Sequence, residues 1–266
     1  MNLASMEFAS GRLIVQAEGA IGWLVFNQPE RLNAVNGEMW GALPEAVAVL
    51  DTDPNIRVIV CKGAGDRAFI SGADIAEFET VRRDAATNRV FTTAVTSATR
   101  ALMAVGNPVV AMINGFCIGG GMVISSACDI RIGADNARFG VPAGKLGLGY
   151  ELDNLKRLIG IVGPGVAMEM LTTARQFTAQ EALAVGYLNK LVPAGELESA
   201  VRAYVDEAAK LAPMSLKAAK LCARAFVDPR LDAAAQAAID ACFDSEDFAE
   251  GRLAFREKRI PVFRGR

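Results

Sequence analysis

Along the first 150 residues, short apolar runs rich in β-branched residues alternate with longer stretches of helical spacing. The runs "RLIVQAE" (12–18) and "AIGWLVF" (20–26) predict a strand pair turning around Glu18 and Gly19. "IRVIVCKG" from residue 56, "PVVAMIN" from 108 and "IRIGAD" from 130 read as further strands, the first two as buried ones. Residues 37–50 carry apolar side chains at helical intervals and end at the turn cluster "DTDPN". A longer helix is predicted over 84–105. "NQPERLNAVN" and "GAGDRAFISGAD" read as loops, the second rich in glycine. This alternation predicts an α/β fold with a parallel or mixed sheet and right-handed crossovers.

After about residue 151 the strand signals thin out and alanine-rich helical segments take over, among them "GPGVAMEMLTTA", "ELESAVRAYVDEAAKLA", "SLKAAKLCARAF" and "RLDAAAQAAIDACFDSEDF". A soft boundary at 193–196 divides the chain into a core unit, 1–195, and a helical region, 196–266. The apolar faces of these helices predict a homo-oligomer rather than a monomer.

Composition narrows the function classes. With 266 residues the chain has room for one sizeable core, or a core with an appendage. It is 52% hydrophobic and 22% charged, the balance of a soluble globular protein. A net charge of −2 leaves no basic surplus for nucleic acid. No apolar run reaches the ~20 residues of a membrane span. The N-terminal "MNLASMEFASGRL" lacks a basic segment ahead of an apolar one, so a cytoplasmic location is expected. The five cysteines, Cys61, Cys117, Cys128, Cys222 and Cys242, are odd in number, widely spaced and form no CxxC. Free buried thiols in a reducing compartment are the expectation. The histidine count is zero. That removes Ser-His-Asp and Cys-His arrangements and any histidine metal site. Chemistry must rest on carboxylates, Tyr, Lys, Cys, backbone amides or a bound cofactor, and no metal is expected.

Two glycine turns are the candidates for chemistry. In "NGFCIGGGMVISSACDI" (114–130), Gly119, Gly120 and Gly121 open an apolar helix. A helix start carries unpaired N–H groups and partial positive charge, and glycine lets another group lie against the backbone. That group is either a ligand or a neighbouring element at a tight crossover. "AFISGAD" (68–74) is a second strand-to-glycine turn. If the two strands share a sheet, both turns meet at its carboxyl end. One N–H from each then makes an oxyanion hole, in which a single donor is worth ~2.7–4 kcal/mol of barrier.

Four segments in order, "NQPERLNAVN", "AFISGADIAEF", "PVVAMINGFCIGGGMVISSACDIRI" and "EGRLAFREKRIPVF", closely resemble the crotonase superfamily, the enoyl-CoA hydratase/isomerase family, over nearly the whole chain. The resemblance implies a crotonase-like spiral of ββα turns and a helical C-terminal trimerisation region, with trimers often paired into hexamers. It implies stabilisation of a thioester enolate by the amides of Ala73 and Gly120. Coenzyme A, as part of the substrate and not a separate cofactor, is expected along Arg31, Leu32 and Ala34 and past Ile70, Ser71 and Gly72. Phe255 and Lys258 resemble adenine and phosphate contacts supplied by a neighbouring subunit.

The sequence also departs from the family. Its hydratases carry two glutamates, where this chain has Val123 and Ala143. Each acid or base role is worth roughly 10²–10⁴ in rate, and neither Val nor Ala can supply one. "LGLGYELDN" offers Tyr150, Glu151 and Asp153 instead. Dienoyl-CoA isomerases resembling this chain have an aspartate at the position of Glu151. Methylmalonyl-CoA decarboxylases have a tyrosine at that of Tyr150, but a histidine at that of Ala73. Structural roles stand beside these: Glu151 as a first-turn acid, Tyr150 as a rim aromatic, Asp74 as a helix cap, Asp129 at a strand start, Lys145 as a loop charge and Cys117 as core. Three functions follow: an enzyme of the hydratase/isomerase type working through Glu151, a decarboxylase of malonyl-type thioesters, and a non-catalytic acyl-CoA-binding homologue.

Overall fold

The structure, a computed structural model, describes residues 5–266. It opens with an antiparallel meander, β1 (Met6–Phe8), β2 (Leu13–Glu18) and β3 (Ile21–Phe26), in which Glu18 pairs with Ile21 across a tight turn. Asn36 then caps α1 (Gly37–Thr52), its side chain accepting from the Met39 amide. Met39, Trp40, Leu43, Ala46, Val47 and Leu50 form the buried stripe of α1 at the spacing the sequence showed.

Three turns of one plan follow. The first is β4 (Val58–Gly63), β5 (Ala68–Ile70), the short α2 (Phe78–Val81) and α3 (Ala85–Ala104). The second is β6 (Val109–Ile113), β7 (Phe116–Ile118) and α4 (Gly120–Ser125). The third is β8 (Ile130–Ala134), β9 (Arg138–Gly140) and α5 (Leu152–Thr173). With β10 (Phe177–Thr178) and β11 (Lys190–Val192) from further along the chain, the first strand of each turn joins a seven-stranded sheet of order β1-β2-β3-β4-β6-β8-β11, and the second joins a four-stranded sheet of order β10-β9-β7-β5. From β3 to β11 the large sheet is parallel. The chain is completed by β10 (Phe177–Thr178), α6 (Ala179–Ala184), β11 (Lys190–Val192), α7 (Leu197–Ala209), α8 (Pro213–Val227), α9 (Asp232–Phe243) and α10 (Glu246–Glu257). This is the expected spiral of ββα turns.

Several details differ from the sequence reading. Strands β5, β7 and β9 have three residues each, too few to show a period, and β5 lies inside the expected glycine-rich loop. Strand β11 falls in the region read as helical and closes the parallel sheet against β8. Helix α5 starts at Leu152, with Glu151 at its N-cap rather than in its first turn, and bends at Gly163, where φ is 77° and Pro164 follows; the segment quoted as helical covers only its second half. The division at 195/196 falls between β11 and α7. Yet Leu197, Val201 and Val205 of α7 are buried against Trp23, Val60 and Ile132 of the large sheet, so α7 shares its core. All five cysteines are free, but only Cys61, Cys117 and Cys128 are buried; Cys222 and Cys242 are half-buried. No helix of the described residues is long and apolar enough to cross a membrane.

The packing of α4 on β5 fixes how closely the turns approach. A Cβ on Gly121 would stand 2.4 Å from the Ile70 carbonyl oxygen, inside any allowed contact. Gly41, mid-helix in α1, has nothing within 4 Å of its Cβ position. We expect Gly121→Ala to destabilise the fold by ~1–3 kcal/mol through overpacking. Gly41→Ala should stabilise it by ~0.5–1 kcal/mol through helix propensity. Urea unfolding of the two variants checks both signs.

Candidate active site

The small sheet sets the site. Strands β5, β7 and β9 run parallel, with Ala68 opposite Phe116 and Cys117 opposite Phe139, so their carboxyl ends emerge together. Beyond those ends lie Ser71, Gly72 and Ala73, then Gly119 and Gly120, then Val141, Pro142 and Ala143; all of them line one cavity of about 140 Å³. The two glycine turns, far apart in the chain, are thus brought together as the sequence reading expected.

The backbone amides of Ala73 and Gly120 are neighbours. A Cβ on Gly120 would sit 3.4 Å from the Ala73 nitrogen and 3.1 Å from the Gly72 carbonyl carbon. Val35 bonds the residues on either side of Ala73: its N–H donates to Gly72 O (2.8 Å), and its carbonyl accepts from Asp74 N (3.1 Å). In that parallel pairing the Ala73 amide faces away from Val35. Gly119, with φ 52°, is the N-cap of α4 and supplies no capping side chain, so the first amides of α4 keep their donors open.

The rest of the wall is mostly apolar. Val123 and Ala143, at the positions where the resemblance places glutamates, both line it, as do Trp40, Phe91, Leu146 and Leu148. Among the described lining residues only Arg82 and Glu151 are charged. Tyr150 also lines it, and its hydroxyl has no hydrogen-bond partner among the described residues. Burial holds that phenol well above its ordinary value, with the Arg157 guanidinium opposing, so Tyr150 stays a proton-bearing donor at neutral pH.

Glu151 is the N-cap residue of α5, yet its side chain makes no capping bond. It turns to α3 instead. Oε1 accepts from Thr92 Oγ1 at 2.8 Å and from Asn88 Nδ2 at 3.1 Å. Asn88 Oδ1 in turn accepts from Arg82 Nε at 2.9 Å. The Arg82 guanidinium lies over the rings of Phe78 and Phe91, 5.1 and 4.9 Å from their centroids. Burial lowers the Arg82 pKa, and the Glu151 charge opposes that shift. Sequence reasoning missed Arg82, Asn88 and Thr92. A usable signal existed: Asp84 and Thr87 form a capping box that sets the register of α3, and 88, 92 and 95 then share one face.

The residues expected along coenzyme A divide in two groups. Arg31, Leu32 and Ala34 lie beside Ile70, Ser71 and Gly72: Ser71 N donates to Leu32 O at 3.0 Å and Ser71 Oγ to Arg31 O at 3.3 Å. Arg31 is half-exposed and pairs with Asp74 at 2.6 Å. Phe255 and Lys258 do not reach this cavity. Phe255, 87% exposed, lines a separate groove formed by α8, α9 and α10, and Lys258 ends α10. Asp74 caps the turn at residue 75 by accepting from the Ala76 amide. Asp129 accepts from Val109 N at 2.7 Å and pairs with the buried Lys220 at 2.8 Å, and Lys145 is exposed. No cluster of three or more potential metal ligands occurs among the described residues.

With this geometry in hand, comparison with known proteins places the chain. The Enoyl-CoA hydratase/isomerase family matches residues 16–266. The chain belongs to that family, within the crotonase superfamily, and is an acyl-CoA enzyme of the enoyl-CoA hydratase/isomerase type. It is similar to a crotonyl-CoA hydratase of Syntrophomonas wolfei, 33% identical over 94% of this chain and 97% of that one. It is also similar to an (E)-benzylidenesuccinyl-CoA hydratase of Thauera aromatica, 32% identical over 94% and 98%. A solved enoyl-CoA hydratase/carnithine racemase from Magnetospirillum magneticum superposes with a TM-score of 0.90 at 35% identity, over 96% of each chain.

The buried acids beneath the site carry a pH prediction. Burial pushes the Cys117 thiol up to about 12 and the Tyr150 and Tyr187 phenols above their ordinary value. Each stays protonated in the fold where the unfolded chain ionises, so the unfolded state binds fewer protons at alkaline pH. Stability is therefore full below the ordinary thiol value of 9.0 and falls as pH rises above it. The urea midpoint should drop between neutral pH and about pH 11, and a flat or rising midpoint contradicts this assignment. Native Cys117 should also resist alkylation at neutral pH.

Proposed function

We propose that this enzyme forms the enolate of an acyl-CoA thioester, holds its oxygen between the Ala73 and Gly120 amides, and moves one proton through Glu151, shifting a carbon–carbon double bond. The observation that carries this is the pairing of two neighbouring backbone amides with a single cavity-lining carboxylate. Glu151 takes a proton from the carbon α to the thioester; the C–H electron pair becomes the enolate C=C as the thioester π pair moves onto oxygen. When the enolate collapses, the carbonyl re-forms, the enolate pair becomes the new α,β double bond, and the π pair of the old double bond takes the proton back from the same carboxyl at the far end of the allylic system. One carrier closes this cycle, whereas adding water needs a base for the water and an acid for Cα. Apolar Val123 and Ala143 offer neither. A cavity of about 140 Å³ suits a short acyl group, since engineered cavities of ~150 Å³ hold benzene. The names of the crotonyl-CoA and short-chain-enoyl-CoA relatives agree with that.

Coenzyme A, in this reading, runs along Arg31, Leu32 and Ala34 and past Ile70, Ser71 and Gly72. Phe255 and Lys258 reach it from a neighbouring subunit of a trimer or hexamer. The apolar faces left exposed by Phe226, Phe255 and Ile260 favour such an assembly.

A second reading, decarboxylation of a malonyl-type thioester, is favoured by one observation: the Tyr150 hydroxyl, without a hydrogen-bond partner among the described residues, stands in a wall to which Val123 and Ala143 add apolar surface. It requires the oxyanion hole but no base to form the enolate.

A mass-spectrometric turnover screen with crotonyl-, 3-enoyl-, dienoyl- and methylmalonyl-CoA separates the readings. We expect a product of unchanged mass from the 3-enoyl or dienoyl substrate, with Glu151→Gln lowering turnover by at least ~10²-fold. Full turnover in Glu151→Gln rules out Glu151 as the carrier. Loss of CO₂ selects decarboxylation, and saturable binding without any turnover selects a non-catalytic role.

A further inference from the structure

We propose that Arg82, Asn88 and Thr92 form a positioning relay that fixes Glu151 with a single oxygen, Oε2, free for the reacting proton. The proposal rests on the reading of Glu151 as proton carrier and adds the residues that aim it.

The hydrogen bonds run in one direction. Arg82 has only donors. Its Nε bond at 2.9 Å therefore requires an acceptor on Asn88, which fixes Oδ1 toward Arg82 and Nδ2 toward Glu151. The amide of Asn88 has one orientation that satisfies both neighbours. Thr92 Oγ1, 2.8 Å from the same Glu151 oxygen, must donate because a carboxylate oxygen accepts. Both bonds fall on Oε1, and Oε2 has no partner among the described residues. The far end of the relay is held by Phe78 and Phe91, which restrict the Arg82 guanidinium between two rings.

The backbone makes the same point. Glutamate is not a favoured N-cap residue, and α5 begins without a side-chain acceptor for its first amides. The Glu151 side chain is held instead by groups 59 and 63 positions away, on α3. Since Arg82 and Thr92 themselves line the cavity, the relay lies in its wall beside the substrate space. A carrier that delivers a proton to two different carbons depends on such aim, because a misplacement of ~1 Å can cost ~10²-fold in rate.

The test is a set of double-mutant cycles read on the isomerisation substrate. Thr92→Val and Asn88→Ala should each lower kcat ~10–100-fold while leaving KM within ~2-fold. Thr92→Ser, which keeps the hydroxyl, should restore kcat to within ~3-fold of the parent, and Arg82→Gln should fall between the parent and Asn88→Ala. In the Glu151→Gln background, Thr92→Val and Asn88→Ala should cost less than ~2-fold more, since they act through Glu151. Residual rates there are read as exchange of allylic protons with D₂O. Circular dichroism melting confirms that each variant folds, and Asn88→Ala serves if Thr92→Val does not. The relay is overturned if kcat is unchanged in Thr92→Val and Asn88→Ala, or if these substitutions cost as much in the Glu151→Gln background as in the parent. Full turnover in Glu151→Gln alone removes the carrier itself, a different result from loss of its positioning.

Discussion

The parallel pairing of β5 with β7 is the constraint on which the rest of the molecule depends. Alone, each is a three-residue strand with little to stabilise it. Side by side they bring a peptide turn from the first spiral repeat against a helix start from the second, so closely that Gly121 has no room for a side chain. The adjacency of the Ala73 and Gly120 amides follows from that contact. The large sheet and α7 lie behind it and give it something rigid to stand on. Stability and site geometry are thus coupled, because loosening the β5–α4 packing separates the two amides.

What the sequence displayed of this arrangement follows from length and burial. The large-sheet strands β3, β4 and β6 are apolar runs long enough to read, and α1 and α3 show their buried stripes. The small sheet that carries the site was nearly invisible, since runs such as Phe116–Ile118 are below the length at which any period appears. Its presence was betrayed by the glycine turns that follow it. The role of α7 was hidden for another reason. An amphipathic, alanine-rich helix looks the same whether its apolar face meets its own sheet or another subunit. Only the contact of Val201 and Val205 with the sheet decides between them.

Ala73, Gly120, Val123, Ala143, Tyr150 and Glu151 could be singled out from glycine spacing and family motifs, which fix their register, and all six line one cavity. Asn88 and Thr92 were not, because polar residues on a long helix ordinarily face water. The capping box of α3 puts Thr92 on the face of Asn88 and Val95, but nothing local says what that face meets; the neighbouring Thr93 hydroxyl bonds back to Arg89 O one turn earlier in its own helix. The partner of Thr92 lies 59 residues away, and the pairing exists only after α5 docks on α3.

The charge inventory of the cavity connects these points. A wall with one carboxylate and one guanidinium among its described residues, and mostly apolar otherwise, raises the value of every polar group it keeps, since an unpaired charge in such surroundings is costly. With valine at 123 and alanine at 143, Glu151 is the one carboxylate among the described residues that line the cavity. On the proposed reading, the oxyanion has two fixed amides and the proton a single carrier. In a water-poor site, preorganised dipoles gain strength while competing water addition loses its nucleophile. The proposed double-bond shift needs no added water, which suits a cavity with Val123 and Ala143 in its wall, and the chain's lack of histidine is no obstacle to it.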